Sequence, residues 1–144
     1  MIKKYVLSLV LCNFFCINYA SGDEYHILSC TRPLAEKAVF EHCYVKLVQG
    51  NRILDSRGFF QDAGSIQEPS PFMFFGKCME AKSNATLDDW MKVTNAYDKY
   101  APKDYSVTSK NCCSVAYEAL REIMKSVPSN ITDANSSIGT RCKS

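Results

Sequence analysis

A cysteine and a histidine carry the chemistry open to this chain. Asn111-Cys112-Cys113 begins an amphipathic stretch, and His42 lies well upstream in a strand-like one. A thiol in the first turn of a helix sits at the positive end of the backbone dipole, which favours the thiolate. An imidazole on a sheet can take and return the proton, and backbone amides at the helix start can hold an oxyanion. The pair therefore has the parts for acyl transfer through a thioester. Cys112 is the expected nucleophile and His42 the expected base. His26, the other histidine, is the second candidate base, and Ser114 the alternative nucleophile. A third polar group usually orients such a base. Asp55, on the segment that would return beside His42, is the economical choice, with Asn51, Gln49 and Asn111 as alternatives. The competing account makes Cys112 an inert buried thiol or half of a disulfide, and His42 a hydrogen-bonded structural residue.

The elements that must position these groups read as a small antiparallel sheet packed against helices, an α+β fold. Tyr25 to Cys30 has strand character, broken at Thr31-Arg32-Pro33. From Val39 to Val48 the residues alternate, with Cys43, Val45 and Leu47 on one face and His42, Tyr44 and Lys46 on the more polar one. Gln49-Gly50-Asn51 supplies a turn and Arg52 to Ser56 the returning arm, a hairpin with His42 on one strand and Asp55 on the other. Thr86 and Asp89 form a capping-box-like start for a helix bearing Leu87, Trp90, Met91 and Tyr97 and ending near Ala101-Pro102. Tyr105 to Thr108 fits a further strand, with Ser109 as an N-cap. From Cys112 the apolar residues Val115, Ala116, Ala119, Leu120, Ile123, Met124 and Val127 follow one helical face until Pro128. Within that helix Cys113 is turned about 100° from Cys112. The aromatic run Phe72 to Phe75 reads as a buried strand or pocket wall.

Composition bounds the rest. Residues 1–22 have the form of a secretory signal: Lys3 and Lys4, an apolar run, then Ala20, Ser21 and Gly22 as small cleavage residues. The apolar run falls short of the roughly 20 residues a membrane span needs, so no stable span is expected after its removal. Residues 23–144 then form a single domain, with a polar tail from about 128. Without the signal's two lysines the formal charge of +2 falls to about zero. Acids and bases interleave, so nucleic acid is not an expected partner. Cys30, Cys43, Cys78, Cys112, Cys113 and Cys142 would remain after export, in a secreted or periplasmic setting where disulfides persist. Cys113 has Cys78 or Cys142 as candidate partners. Zinc-type spacings are absent, and neither a metal nor another cofactor is expected. Asn84, Asn130 and Asn135 begin glycosylation triplets.

The order Glu41-His42-Cys43-Tyr44-Val45, then Ile53-Leu54-Asp55-Ser56-Arg57-Gly58, then Tyr105-Ser106-Val107-Thr108 and Asn111-Cys112 before a helix resembles the circularly permuted papain-like proteins of the NlpC-type superfamily. That superfamily includes cell-wall and amide hydrolases and the lecithin:retinol acyltransferase group. The resemblance spans about residues 37–125. It implies a permuted papain-like α+β fold, Cys112 as nucleophile, His42 as base and a third polar residue near Asp55. Two features depart from the pattern: the doublet at Cys113, and Glu41 where a small residue often precedes the histidine. The expectation is an exported cysteine peptidase or amidase, a thiol hydrolase acting on a peptide or acyl substrate, cell-wall peptides included. The alternatives are a non-catalytic, disulfide-stabilised secreted binding domain or effector, and an inhibitor or immunity-type partner built on an inactivated version of the fold.

Overall fold

The computed structural model describes residues 24–33, 41–69 and 76–141, with side chains up to residue 135. The signal-like segment, the aromatic run Phe72 to Phe75 and Cys142 lie outside the described residues. Among the described residues five antiparallel strands form one sheet: β1 (Tyr25–Pro33), β2 (Glu41–Gln49), β3 (Arg52–Phe60), β4 (Gly64–Ile66) and β5 (Lys77–Ala85), in the order β4-β3-β2-β1-β5. Three helices pack against it: α1 (Leu87–Asp98), α2 (Cys112–Arg121) and α3 (Ser129–Arg141). The architecture is α+β, as the alternation and helical spacing imply.

Strand β2 runs through the middle of the sheet and is buried on both faces. Cys43, Val45 and Leu47 meet the helices, where they join Ile27, Phe59, Val93, Tyr97, Val115, Ala116 and Leu120 in the core. His42, Tyr44 and Lys46 point the other way, yet they are buried too. Polar alternation predicts the face correctly but not its exposure. Close backbone approach helps to cover that second face. A Cβ on Gly76, whose φ is +108°, would lie 2.6 Å from the Tyr44 hydroxyl. Beside Tyr44, Cys30 is bonded to its direct cross-strand neighbour Cys78.

Strand β1 continues through Thr31 and Arg32 to Pro33, because Arg32 pairs with His42 in the β1–β2 ladder and both are buried. Helix α1 starts at the predicted capping box: the Thr86 side chain accepts from the Asp89 N–H while the Asp89 carboxylate accepts from the Thr86 N–H. Its buried stripe is Trp90, Val93, Ala96 and Tyr97; Leu87 and Met91 lie outside it, at 54% and 58% exposed.

The end of the chain differs more. Helix α2 stops at Arg121, and the amides of Ile123 and Met124 both turn back to the Leu120 carbonyl. A second helix replaces the expected polar tail. Pro128 offers its carbonyl to the Ile131 and Thr132 amides, and Ile131 and Ala134 enter the core. Asn130 fastens α3 to β1, donating from Nδ2 to the Ser29 carbonyl at 2.8 Å and accepting from the Ser29 hydroxyl at 3.0 Å. The Ser- and Asn-rich composition hides this helix because its contact is polar and, among its described side chains, only Ile131 and Ala134 are apolar.

Replacing Asn130 with Ala leaves that buried carbonyl and hydroxyl without these partners, so Asn130→Ala is expected to cost about 1–3 kcal/mol in denaturant unfolding. A change indistinguishable from zero would mean that α3 is not docked through this residue.

Candidate active site

The start of α2 is built before any chemistry is considered. Asn111 is its N-cap, accepting from the amides of Cys113 and Ser114 at 3.0 Å each, and Ser114 returns a hydroxyl to the Asn111 N–H at 2.8 Å. Ser109 is not the cap. Between Tyr105 and Lys110 the chain makes a turn closed by a single Ser106–Lys110 bridge rather than a strand. Asn111 also anchors that turn, donating from Nδ2 to the Val107 carbonyl. The cap engages the second and third amides of the helix and leaves the Cys112 N–H available. The Tyr105 phenol lies near that N–H and the Cys112 sulfur, both of which bear on its titration.

Cys112 is the free cysteine among the described residues, and it is buried, at 2% exposed. The His42 side chain and the backbone N–H groups of Cys43 and Cys113 lie close enough to stabilise its thiolate, and its sulfur approaches the Glu41 carbonyl oxygen at 3.9 Å. The expected nucleophile and base therefore meet. Ser114 is held in the cap, and its hydroxyl is occupied by Asn111. His26 lies elsewhere on β1, bonded to Glu80 on β5 at 2.7 Å.

Asp55 does not reach this site. It pairs with Leu47 and so shares the helix-facing side of the sheet, whereas His42 projects from the opposite side, five residues along β2. Its carboxylate accepts the Trp90 indole N–H at 2.9 Å and the Ser56 N–H at 2.8 Å, docking α1 on β3. The fallback residues Asn51 and Gln49 sit at the far end of the hairpin, beyond Leu47. Glu68 takes the orienting position instead. Its Oε2 lies 2.9 Å from His42 Nε2, its Oε1 accepts from Arg32 Nε at 2.6 Å, and its backbone N–H donates to Ser56 Oγ at 3.0 Å. With Nε2 facing Glu68, Nδ1 is the ring nitrogen left for the thiol.

Nothing in periodicity points to Glu68, which follows β4 in an irregular segment. The available signal is Gly58 in the middle of β3. A Cβ there would stand 2.9 Å from Glu68 Oε2 and 3.0 Å from His42 Nε2, so the bond between them needs a residue without a side chain beneath it. The ring of Phe60 then closes on His42, with centroids 4.6 Å apart.

Burial alone would disfavour every charge in this cluster, and the neighbours reverse that effect. Burial pulls the His42 imidazole down, but hydrogen bonds and charges from Cys112 and Glu68 outweigh it and leave its pKa above the ordinary value. Burial pushes the Cys112 thiol up, yet His42 and the two backbone amides bring it below its ordinary value. Glu68 likewise is pushed up by burial and held down overall by His42 and Arg32. Tyr105, raised by burial and then by Cys112 to about 12, stays a neutral hydroxyl at physiological pH. The arrangement favours a thiolate beside an imidazolium, the reactive form of a cysteine nucleophile.

Among the described residues two disulfides complete the neighbourhood: Cys30–Cys78 and Cys43–Cys113. Cys113 thus bonds to the residue after His42, and the candidate partner Cys78 is taken by Cys30. The helix directs Cys113 onto the apolar face of β2 where Cys43 projects, a pairing that spacing along the chain does not reveal. Among the described residues, no three or more His, Cys, Asp or Glu side chains are placed to hold a metal ion. None of the described helices is long and apolar enough to cross a membrane. No family model, no curated protein and no solved structure matches this chain.

Glu68→Gln keeps the shape and removes the charge. The imidazolium then loses stabilisation and the His42 pKa falls, so the thiolate loses its partner and its own pKa rises. Alkylation of Cys112 near neutral pH is expected to slow by about tenfold. Asp55→Ala, by contrast, is expected to lower stability by about 1 kcal/mol through the lost indole bond and to leave the alkylation rate unchanged. Equal effects of the two variants on the rate would contradict the assignment of Glu68.

Proposed function

We propose that this protein is an exported cysteine hydrolase of permuted papain-like fold, cleaving an amide, peptide or ester bond through a thioester. One observation carries the reading: the free thiol among the described residues stands at a helix N-terminus beside a buried histidine that a buried carboxylate orients. The chain order, histidine strand before cysteine helix, supports the NlpC-type resemblance. Peptide and isopeptide bonds, including those of cell-wall peptides, are the first substrate class, and acyl groups from lipids the second. The two disulfides accord with secretion or a periplasmic location.

In this mechanism the Cys112 thiolate attacks the carbonyl carbon. The oxyanion forms beside the Cys112 N–H and the Tyr105 hydroxyl, two donors adjacent to the sulfur. His42, held by Glu68, gives its proton to the leaving amine or alkoxide. Water then attacks the thioester with His42 as base, releasing the acid and restoring the thiol–imidazole pair. Arg32 offsets the Glu68 charge and stays out of the bond changes.

A second reading has its own observation. Cys112 and His42 are 2% and 1% exposed, which suits a disulfide-stabilised binding domain that has kept the residues without the reaction. Iodoacetamide labelling of the native, unreduced protein across pH 5 to 9, mapped by mass spectrometry, separates the two. The hydrolase requires labelling at Cys112 with an acid limb well below the ordinary thiol range, shifted or lost in His42→Ala. Turnover of an activated ester should follow a bell: rising with pH as Cys112 ionises at its lowered pKa, then falling as His42 loses its proton above the ordinary imidazole value. A Cys112 that labels no faster than a free thiol at every pH favours the binding domain.

A further inference from the structure

The residue after the base and the residue after the nucleophile are joined covalently. His42-Cys43 and Cys112-Cys113 are linked through Cys43–Cys113, with Cα atoms 4.7 Å apart, and both half-cystines are fully buried. The bond connects β2 to α2, the two elements that carry the reacting side chains, across 70 residues of sequence. We propose that Cys43–Cys113 is a positioning latch for the Cys112–His42 pair, which is assembled for reaction only when this bond is closed. The proposal rests on the hydrolase reading and adds a redox condition to it.

Three features support a role beyond general stability. Cys43 bears on Cys112 twice, through the covalent tie between their two elements and through its backbone N–H, which favours the ionised thiol. Any movement of α2 away from β2 therefore separates the Cys112 sulfur, 3.9 Å from the Glu41 carbonyl oxygen, from Cys43 and His42 together. The Cys113 sulfur lies 3.9 Å from that of Cys112. Once reduced it would be a second thiol, able to compete for the same imidazole and to trap Cys112 in a disulfide. The other bridge provides a contrast: Cys30–Cys78 joins directly paired residues of β1 and β5, strands already held by their own ladder, and neither half-cystine adjoins His42 or Cys112 in sequence. Closing the latch oxidises two thiols. By exchange with an external disulfide, the Cys43 and Cys113 thiols give up two electrons and two protons and release two external thiols. Activity would then be confined to compartments that maintain such disulfides.

The test compares Cys43→Ala/Cys113→Ala with Cys30→Ala/Cys78→Ala, measuring the rate of Cys112 alkylation against pH together with a thermal melt. The first variant should melt cooperatively, label about tenfold or more slowly near neutral pH, and show an acid limb displaced toward the ordinary thiol range. The second should retain the wild-type labelling profile whatever stability it loses. A wild-type profile in the first variant overturns the latch. If that variant does not fold, graded reduction of the native wild-type protein with a trialkylphosphine replaces it, with both bonds followed by differential alkylation. Cys112 reactivity should fall in step with opening of Cys43–Cys113 and return on reoxidation; reactivity indifferent to that opening overturns the proposal. The two readings fail separately: an unreactive wild-type Cys112 defeats the hydrolase and the latch together, whereas a reactive wild type with an indifferent variant defeats the latch alone.

Discussion

The interaction on which the rest depends is the one between His42 and Glu68, made out of water. A lone charge in that position would be expelled or neutralised, at a cost of several kcal/mol. Here groups of opposite favoured charge follow one another: the Arg32 guanidinium, the Glu68 carboxylate, the His42 ring, whose protonated form is favoured, and the Cys112 thiol, whose ionised form is favoured. Each inner member is flanked by opposite charges, and the row as a whole is neutral. A neutral thiol beside a neutral imidazole would leave Arg32 and Glu68 as a closed pair and give the thiol no assistance. Completing the row shifts the balance toward proton transfer from sulfur to imidazole, against the burial of both groups.

Much of the backbone is arranged around that row. Arg32 and His42 are direct partners in the β1–β2 ladder, so β1 must extend past the point where Thr31-Arg32-Pro33 suggests a break. Ser56 holds the Glu68 backbone, and Gly58 vacates the space in which its carboxylate meets the ring. On the opposite face, Val45, Val115, Ala116 and Leu120 are among the core residues that hold α2 and β2 together, while the Asn111 cap fixes where the helix begins. The site therefore lies at the seam of two layers: the thiol comes from the helix side and the imidazole from the far side of the sheet. This division explains why the residue after each reacting group, and not the group itself, forms the disulfide.

The sequence makes the helix bearing Cys112 and the strand bearing His42 legible because each has a clear period, and the two residue types leave few alternatives for a thiol and its base. It does not reveal the third member. Asp55 is attractive because it occupies the returning arm of the hairpin, but register decides the matter. Opposite Leu47, the aspartate faces α1 and is bound by Trp90. Glu68 reaches His42 through an irregular segment, and hydrophobic periodicity carries no information about such a path. The same limit hid α3, which is anchored by the polar Asn130–Ser29 pair, and the partner of Cys113, which depends on how a helix is laid across a strand.

A carboxylate orienter raises a question of balance that Arg32 answers. An acid–base histidine works best when its pKa lies near the operating pH, because it must both take a proton from sulfur and give it to a leaving group. Under the proposed mechanism, an uncompensated buried carboxylate at 2.9 Å would hold the imidazolium too strongly and slow the second of these steps. By bonding Oε1, Arg32 draws off part of the negative charge while leaving Oε2 to fix the ring. Burial of the imidazole acts in the same direction, pulling its pKa down against the pull of Glu68 and Cys112. The pKa of His42 is thus set by opposed effects, with its partners prevailing over burial. The imidazole can be held rigidly without being permanently protonated, and that combination is what the proposed acid–base exchange with a thiolate requires.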